Sequence, residues 1–320
     1  MQRLSLNRTL PWLALVTVYF LWGSTYLGIR VAVQTIPPFL MAGTRYVVAG
    51  AILTGIMLLW KRDLLAQLRW PQWRSLTLTA FLLLGVGNGL LCFSELTVPS
   101  GVAAIVVATV PIWMVVIAAL ASRTRVPAGG IIGLVLGSLG IVALAGVPGS
   151  GIPLVPTLLV LIGSFSWALG SVYARRHAEL RANPIIPALE MFVGGIILCI
   201  IGLATGEGPR FNVAEISQES IYGWLWLVTG GALIGYTAYQ YAVRKLPTSI
   251  VATYGYVNTI VAVALGALFL HEPITLNIIL GGAAIVLAVI AILRSNTRKA
   301  QNEQPVTLEV DDRREVAKAS

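Results

Sequence analysis

Residues 101–121 read GVAAIVVATVPIWMVVIAALA, a run without a single charged side chain. At 1.5 Å per residue, a helix of this length covers a hydrocarbon core of about 30 Å. Runs of the same kind recur on both sides of it, at Trp12–Val33, Phe39–Trp60, Ser75–Phe93, Ala128–Gly146, Pro153–Ala174, Ile185–Ala204, Ile221–Val243, Thr248–Leu270 and Thr275–Leu293. With Gly101–Ala121 they predict an all-α membrane protein of ten transmembrane helices. The short links between them hold Pro37-Pro38, Pro99-Ser100, Pro127, Pro148 to Pro153, Asn183-Pro184, Pro247 and Pro273, residues that break a helix where a turn is needed. Residues 205–220 form a longer loop, and 294–320 read as a disordered polar tail. Arg3 and Arg8 give the first run the flank of a signal peptide. It stays apolar for about 20 residues with no small-x-small cleavage site after it, and so is kept as a helix.

Composition agrees. Of 320 residues 57% are hydrophobic and only 11% charged, with a mean hydropathy of +0.84. A soluble domain carries about 25% charged residues, so this chain lacks the polar surface a soluble enzyme needs. Cys92 and Cys199 lie inside apolar runs, in no metal or redox spacing, and read as small buried hydrophobes. No cofactor and no metal are expected.

The net charge of +9 raises nucleic acid as a partner, and the positions of the charges remove it. Nineteen of the 22 Lys and Arg fall at the amino terminus, in the even-numbered links (Lys61, Arg62, Arg69, Arg74; Arg123, Arg125; Arg175, Arg176, Arg181; Arg244, Lys245) and in the tail, whereas the odd-numbered links hold only Arg210. Basic links stay cytoplasmic, which places both termini inside a cell inner membrane. The positive charge is an orientation signal spread along the chain.

Sliding the chain on itself by 145 residues brings Trp22 onto Trp167, Arg30 onto Arg175, Arg45 onto Glu190 and Gly50 onto Gly195. A shift of 146 superposes Gly85-x3-Gly89 on Gly231-x3-Gly235, and one of 148 puts Pro99 on Pro247. Two five-helix repeats follow, at 12–146 and 153–293. Five is odd, so the second enters the membrane from the opposite side. Inverted repeats are a recurring architecture of secondary transporters, with the site near the midplane and access alternating.

Leu21-Trp22-Gly23-Ser24, Pro37-Pro38-Phe39, Arg45-Tyr46, Leu246-Pro247-Thr248-Ser249, Leu270-His271-Glu272-Pro273 and Gly281-Gly282 together resemble the drug/metabolite transporter superfamily, whose exporters carry two tandem EamA domains. The resemblance implies a ten-helix permease that exports small metabolites, amino acids or drugs, in some members in exchange for protons. The sequence departs from the pattern in two places. Arg123 or Thr124 stands where the second half has Glu272, and Pro111 stands opposite Thr259.

Two groups of residues are candidates for the chemistry. Trp22, Thr25 and Tyr26 share one helix face, as do Thr109 and Trp113, then Trp167, Gly170 and Ser171, then Tyr236, Tyr239 and Gln240. Thr253 with Tyr256, and Tyr254 with Asn258, repeat the spacing. Such polar-tipped aromatics line a cavity for an amphipathic solute, or else pack between helices. Asn88, in the glycine-rich string 85–89, marks close helix approach rather than a phosphate loop, and Gly133-x3-Gly137 reads the same way. The second group is ionisable: Arg45, Glu95, Glu190, His271 and Glu272, as gates or proton-coupling groups. Arg45 should lie about 11 Å below the periplasmic boundary and Glu190 about 8 Å above the cytoplasmic one, out of mutual reach. Arg45 is then expected to meet Glu95 or helix-end carbonyls, and Glu190 to meet Arg175, Arg244 or Lys245, with snorkelling to the nearer interface as the alternative. His271 reads either as a pH-sensitive group or as an exposed loop histidine.

These readings converge on a secondary-active exporter of small metabolites, with amino acids favoured because a zwitterion suits neutral polar and aromatic walls. Drug efflux by the same fold is the nearer alternative, and a scramblase or receptor without net transport the more distant one. An intramembrane enzyme lacks its ingredients, since the predicted spans hold no histidine.

Overall fold

The computed structural model describes residues 2–126, 152–177, 183–246 and 254–287, together with 128, 131–132, 135–136, 139–140, 143, 180, 251 and 290; the side chains of 2–8, 240, 243–244 and 256 are outside the description. Among the described residues there is no strand. The helices are α1 (Gln2–Ala32), α2 (Pro38–Trp60), α3 (Trp70–Ser94), α4 (Ser100–Ala121), α5 (described at intervals over 128–143), α6 (Leu154–Arg176), α7 (Ile186–Ala204), α8 (218–245), α9 (Tyr254–Leu270) and α10 (Leu276–Leu287). Thr9–Ala32, α2, α3, α4, α6 and α7 are long and apolar enough to cross a membrane. Gly133, Gly137, Pro247, Thr253 and the predicted tail 294–320 lie outside the described residues.

Within the described residues the helices sit where the predicted apolar runs are, with two internal corrections. Residues 101–121 do not form one helix: the chain breaks at Ala108–Thr109 and restarts at Val110, because Pro111 offers no N–H to the turn before it. The string at 85–89 lies in a π-helical segment, Phe81–Asn88, inside α3. A second π segment of the same length, Leu227–Ile234, lies inside α8. They begin 146 residues apart, the shift at which the two glycine motifs superpose.

Helix contacts carry the same symmetry. The most extensive interface is α2 on α7. There a Cβ on Gly50 would strike the Phe192 amide and the Ala188 carbonyl, while one on Gly195 would strike the Val47 amide and the Gly43 carbonyl. Adding 145 to Gly50, Val47 and Gly43 gives Gly195, Phe192 and Ala188. The contact is therefore isologous, the signature of a two-fold relation, and the two helices cross antiparallel. The packing of α1 on α9 has its mate in α6 on α4, and that of α1 on α8 in α6 on α3. Among the described residues two non-glycine residues have positive φ, Arg123 (53°) and His271 (54°); they end α4 and α9 and lie 148 apart. That pairing sets Glu272 opposite Thr124.

The links sort to two ends. At one end Ser217 N–H donates to Thr35 Oγ1 (3.1 Å), Glu207 reaches the start of α2 and Glu272 the start of α4. At the other, Asn183 donates to the Leu64 carbonyl (2.9 Å) and Arg176 to the Ala121 carbonyl (2.8 Å). Links one, three, seven and nine thus gather at one end, called here the odd end, and links two, four and six at the other. Many large apolar side chains along the spans, Leu13, Phe20, Leu59 and Ile200 among them, face outward, as a lipid-embedded surface requires.

Candidate functional site

Near the middle of the bundle, α1, α8 and α9 bring three rings together. Trp22 lies 4.9 Å from Tyr239 and 5.3 Å from Tyr254, centroid to centroid, and Tyr239 lies 5.7 Å from Tyr254. Two of the three contacts are edge-to-face, the arrangement the ring quadrupoles favour. Trp22 Nε1 donates to the Gly231 carbonyl at 3.0 Å, within the π segment of α8. Only a glycine at 235 lets the indole approach so closely, since a Cβ there would meet Nε1 at 2.7 Å. With its side-chain amide in the flipped orientation, which satisfies both of its polar atoms, Asn258 donates to the Tyr254 and Tyr19 carbonyls at 3.0 Å each.

Several predicted lining groups are occupied otherwise. The Thr25 hydroxyl donates to the Trp22 carbonyl at 2.6 Å, and Tyr26 is buried in the core beside α1. Tyr236 is half-buried and packs against that core. The side chains of Gln240 and Tyr256 lie outside the described residues. Across the two-fold, Trp167 and Trp113 make separate contacts: Trp167 covers Gly87 of the first π segment, and Trp113 meets Phe165 edge-on at 5.4 Å with its Nε1 buried and unpartnered. Tyr254, a member of the ring cluster, matters more than its neighbour Tyr256 suggested.

Asn88 belongs to neither ring group. It accepts from Arg45 at 2.8 Å and from Cys92 Sγ at 3.3 Å, and Arg45 also lies 4.2 Å above the Tyr46 ring. The expected pairing of Arg45 with Glu95 is therefore not made, because Glu95 stands seven residues further along α3, about 10 Å higher. Glu190 likewise meets the Thr79 hydroxyl of α3 and, among the described side chains, neither Arg175 nor Lys245; the side chain of Arg244 lies outside the described residues. As expected from their depths, each of the two dyad-related charges has its own polar partner.

Glu95 follows α3 directly. It is 0% exposed, and neither carboxyl oxygen has a hydrogen-bond partner. Burial first, then the Glu272 charge, pushes its carboxyl well above the usual range, with Arg30 and Arg45 pulling the other way. Arg30 donates to the Glu95 main-chain carbonyl and not to the side chain.

Two acids act as caps at the odd end. Glu272 accepts from Ser100 N (2.8 Å), Ser100 Oγ (3.0 Å) and Gly101 N (3.2 Å); Glu207, which the sequence reading passed over, accepts from Phe39 N (3.1 Å) and Leu40 N (2.8 Å). Both receiving helices begin after a proline, Pro37 or Pro99, whose side chain accepts nothing, so their first amides need an acceptor from elsewhere. Glu207→Ala should lower stability in detergent by about 2 kcal/mol, read as an earlier thermal transition, since charge-assisted caps exceed neutral ones. His271 is exposed and ends α9 in the left-handed region, the position of a helix-terminating residue.

The comparisons fit this geometry. The EamA-like transporter family model matches twice, at residues 10–146 and 155–294. The inner membrane transporter YedA of Escherichia coli strain K12 is 37% identical over 285 residues, covering 87% of this chain and 89% of its own. A probable amino-acid metabolite efflux pump of Salmonella typhimurium strain LT2 is 23% identical, over 88% of this chain and 94% of that protein. A crystal structure 17% identical superposes with a TM-score of 0.63 over 92% of this chain and 98% of the other, and so shares the fold. With two tandem matches laid over an isologous helix crossing, this chain belongs to the EamA-like transporter family.

Proposed function

We propose that the chain is a secondary-active exporter of small amphipathic metabolites, amino acids foremost, working by alternating access in the inner membrane. The observation that carries this is the isologous α2–α7 crossing, where Gly50 and Gly195 exchange the same main-chain contacts. A bundle built of interchangeable halves has an inward-open and an outward-open form that are dyad images of each other, so neither is strongly preferred and rocking between them costs little. The repeats run over 12–146 and 153–293, with the basic even links and both termini in the cytoplasm and the odd end in the periplasm.

The solute passage runs past the Trp22–Tyr239–Tyr254 cluster, with Trp167 and Trp113 contributing singly from the other repeat, so that its walls combine apolar rings with hydrogen-bonding tips. Such walls suit a zwitterion with an apolar side chain better than a multiply charged solute. The name of the Salmonella relative supports the same class, and efflux of apolar drugs fits these walls less well because the buried polar tips would lose partners.

Purified protein in liposomes, offered a panel of amino acids, should show saturable flux of one class. Trp22→Leu removes the ring contacts and the bond to Gly231, and should raise KM for that solute about tenfold with normal membrane levels. Flux without saturation, or none for any panel member, overturns the assignment.

A further inference from the structure

The odd end holds a carboxyl group whose surroundings favour its protonated form. Glu95 is wholly buried with both oxygens unpartnered, and the Ser94 hydroxyl next to it and the Arg45 Nε are unpartnered too. A bare carboxylate without donors costs several kcal/mol to bury, and in practice such a group takes up a proton. Neither nearby cation bonds the carboxyl group: Arg30 donates to the Glu95 main-chain carbonyl, and Arg45 donates through Nη2 to Asn88. The charged and titratable groups facing Glu95 are Arg30 and Tyr26 from α1, Arg45 from α2, Cys92 from its own helix and Glu272 from the α9–α10 link, the last held as the cap of α4.

We propose that Glu95 is a proton-binding site that must be filled for the odd end of the passage to close. When that end is open, water reaches the carboxyl and the group ionises; closing then requires one proton from the water on that side, forming one O–H bond. Substrate leaves on the same side, so each closure after release draws a proton from the periplasmic water into the closed form. This rests on the exporter reading for its direction but not for its measurement.

Cys92 is the reporter. It lies one helical turn before Glu95 and is fully buried in this structure. In full-length protein carrying C199A, reconstituted in liposomes, a membrane-impermeant maleimide is applied from the odd-link side between pH 6 and pH 8. One linked proton shifts the closed-to-open ratio by up to about tenfold per pH unit, over and above the thiol's own ionisation. Labelling should therefore rise at least about tenfold more across this range in the Glu95 protein than in E95Q, whose side chain is neutral throughout. Equal pH dependence in the two overturns the proposal. If E95Q does not reach the membrane, the Glu95 protein decides alone: a thiol ionising by itself accelerates at most about tenfold per pH unit, so a steeper rise supports the site and a rise at or below that slope removes it. Absence of saturable solute flux would sink the exporter reading while leaving pH-dependent exposure of Cys92 in place; the converse result sinks only this site.

Discussion

Gly50→Val and Gly195→Val should each cost more than about 3 kcal/mol and sharply reduce the folded protein recovered from membranes. Overpacking a core generally costs about 1–3 kcal/mol, and flexible side chains absorb part of the strain. Here the atoms in the way are backbone. A side chain at 50 runs into the Phe192 amide and the Ala188 carbonyl; one at 195 runs into the Val47 amide and the Gly43 carbonyl. Helix main chain does not yield locally, so α2 and α7 must part along an interface that is the most extensive among the described residues. Because the two sites are dyad mates, their costs should agree to within about 1 kcal/mol. Gly55→Val, on the same helix with nothing within 4 Å of the added carbon, is the control and should fold normally. Size-exclusion yield and thermal stability in detergent read all three, and a Gly195 variant as stable as the Gly55 variant would contradict the isologous crossing.

Sequence patterning exposes such a crossing because the bilayer fixes the length of each span and the two-fold fixes the register. Apolar runs of about 20 residues locate the helices, and prolines such as Pro37 and Pro99 locate their starts. The shift of 145 already pairs Gly50 with Gly195. What no composition reveals is the π turn: Phe81–Asn88 and Leu227–Ile234 are as apolar as the α-helical turns around them, and the extra residue per turn depends on neighbours packing against the widened backbone. Partner choice was legible in principle. Arg45 sits about 11 Å into the span, and seven residues back from Glu95 along α3 is about 10 Å down, where Asn88 stands; depth points to Asn88, whereas opposite charge points to Glu95. Glu207 was concealed by its place in a long loop. The signal for it lay at the receiving end, where a helix starting after Pro37 exposes amides that its own cap residue leaves unsatisfied.

The Arg45–Asn88 pair allows packing and transport to be told apart. Arg45 is 3% exposed, donates to Asn88, covers the Tyr46 ring and keeps Nε free. Asn88→Leu strips a buried cation of its polar partner and should cost about 3–5 kcal/mol, the usual result of breaking a buried charged pair from one side. Arg45→Leu leaves only the amide unpaired, which Cys92 already approaches at 3.3 Å, and should cost less, about 1–3 kcal/mol. The double variant removes both needs at once, so its stability should recover to within about 1 kcal/mol of the starting protein, giving a coupling energy of at least about 2 kcal/mol in the cycle. Transport follows a different logic. If Arg45 only satisfies Asn88, the double variant exports at the normal rate once folding recovers. If the free Nε serves the passage, export stays at least about tenfold down in the double variant while its melting curve returns to normal. The second result is expected, because a guanidinium in hydrocarbon is expensive to keep and a leucine pair would fill the same space at lower cost.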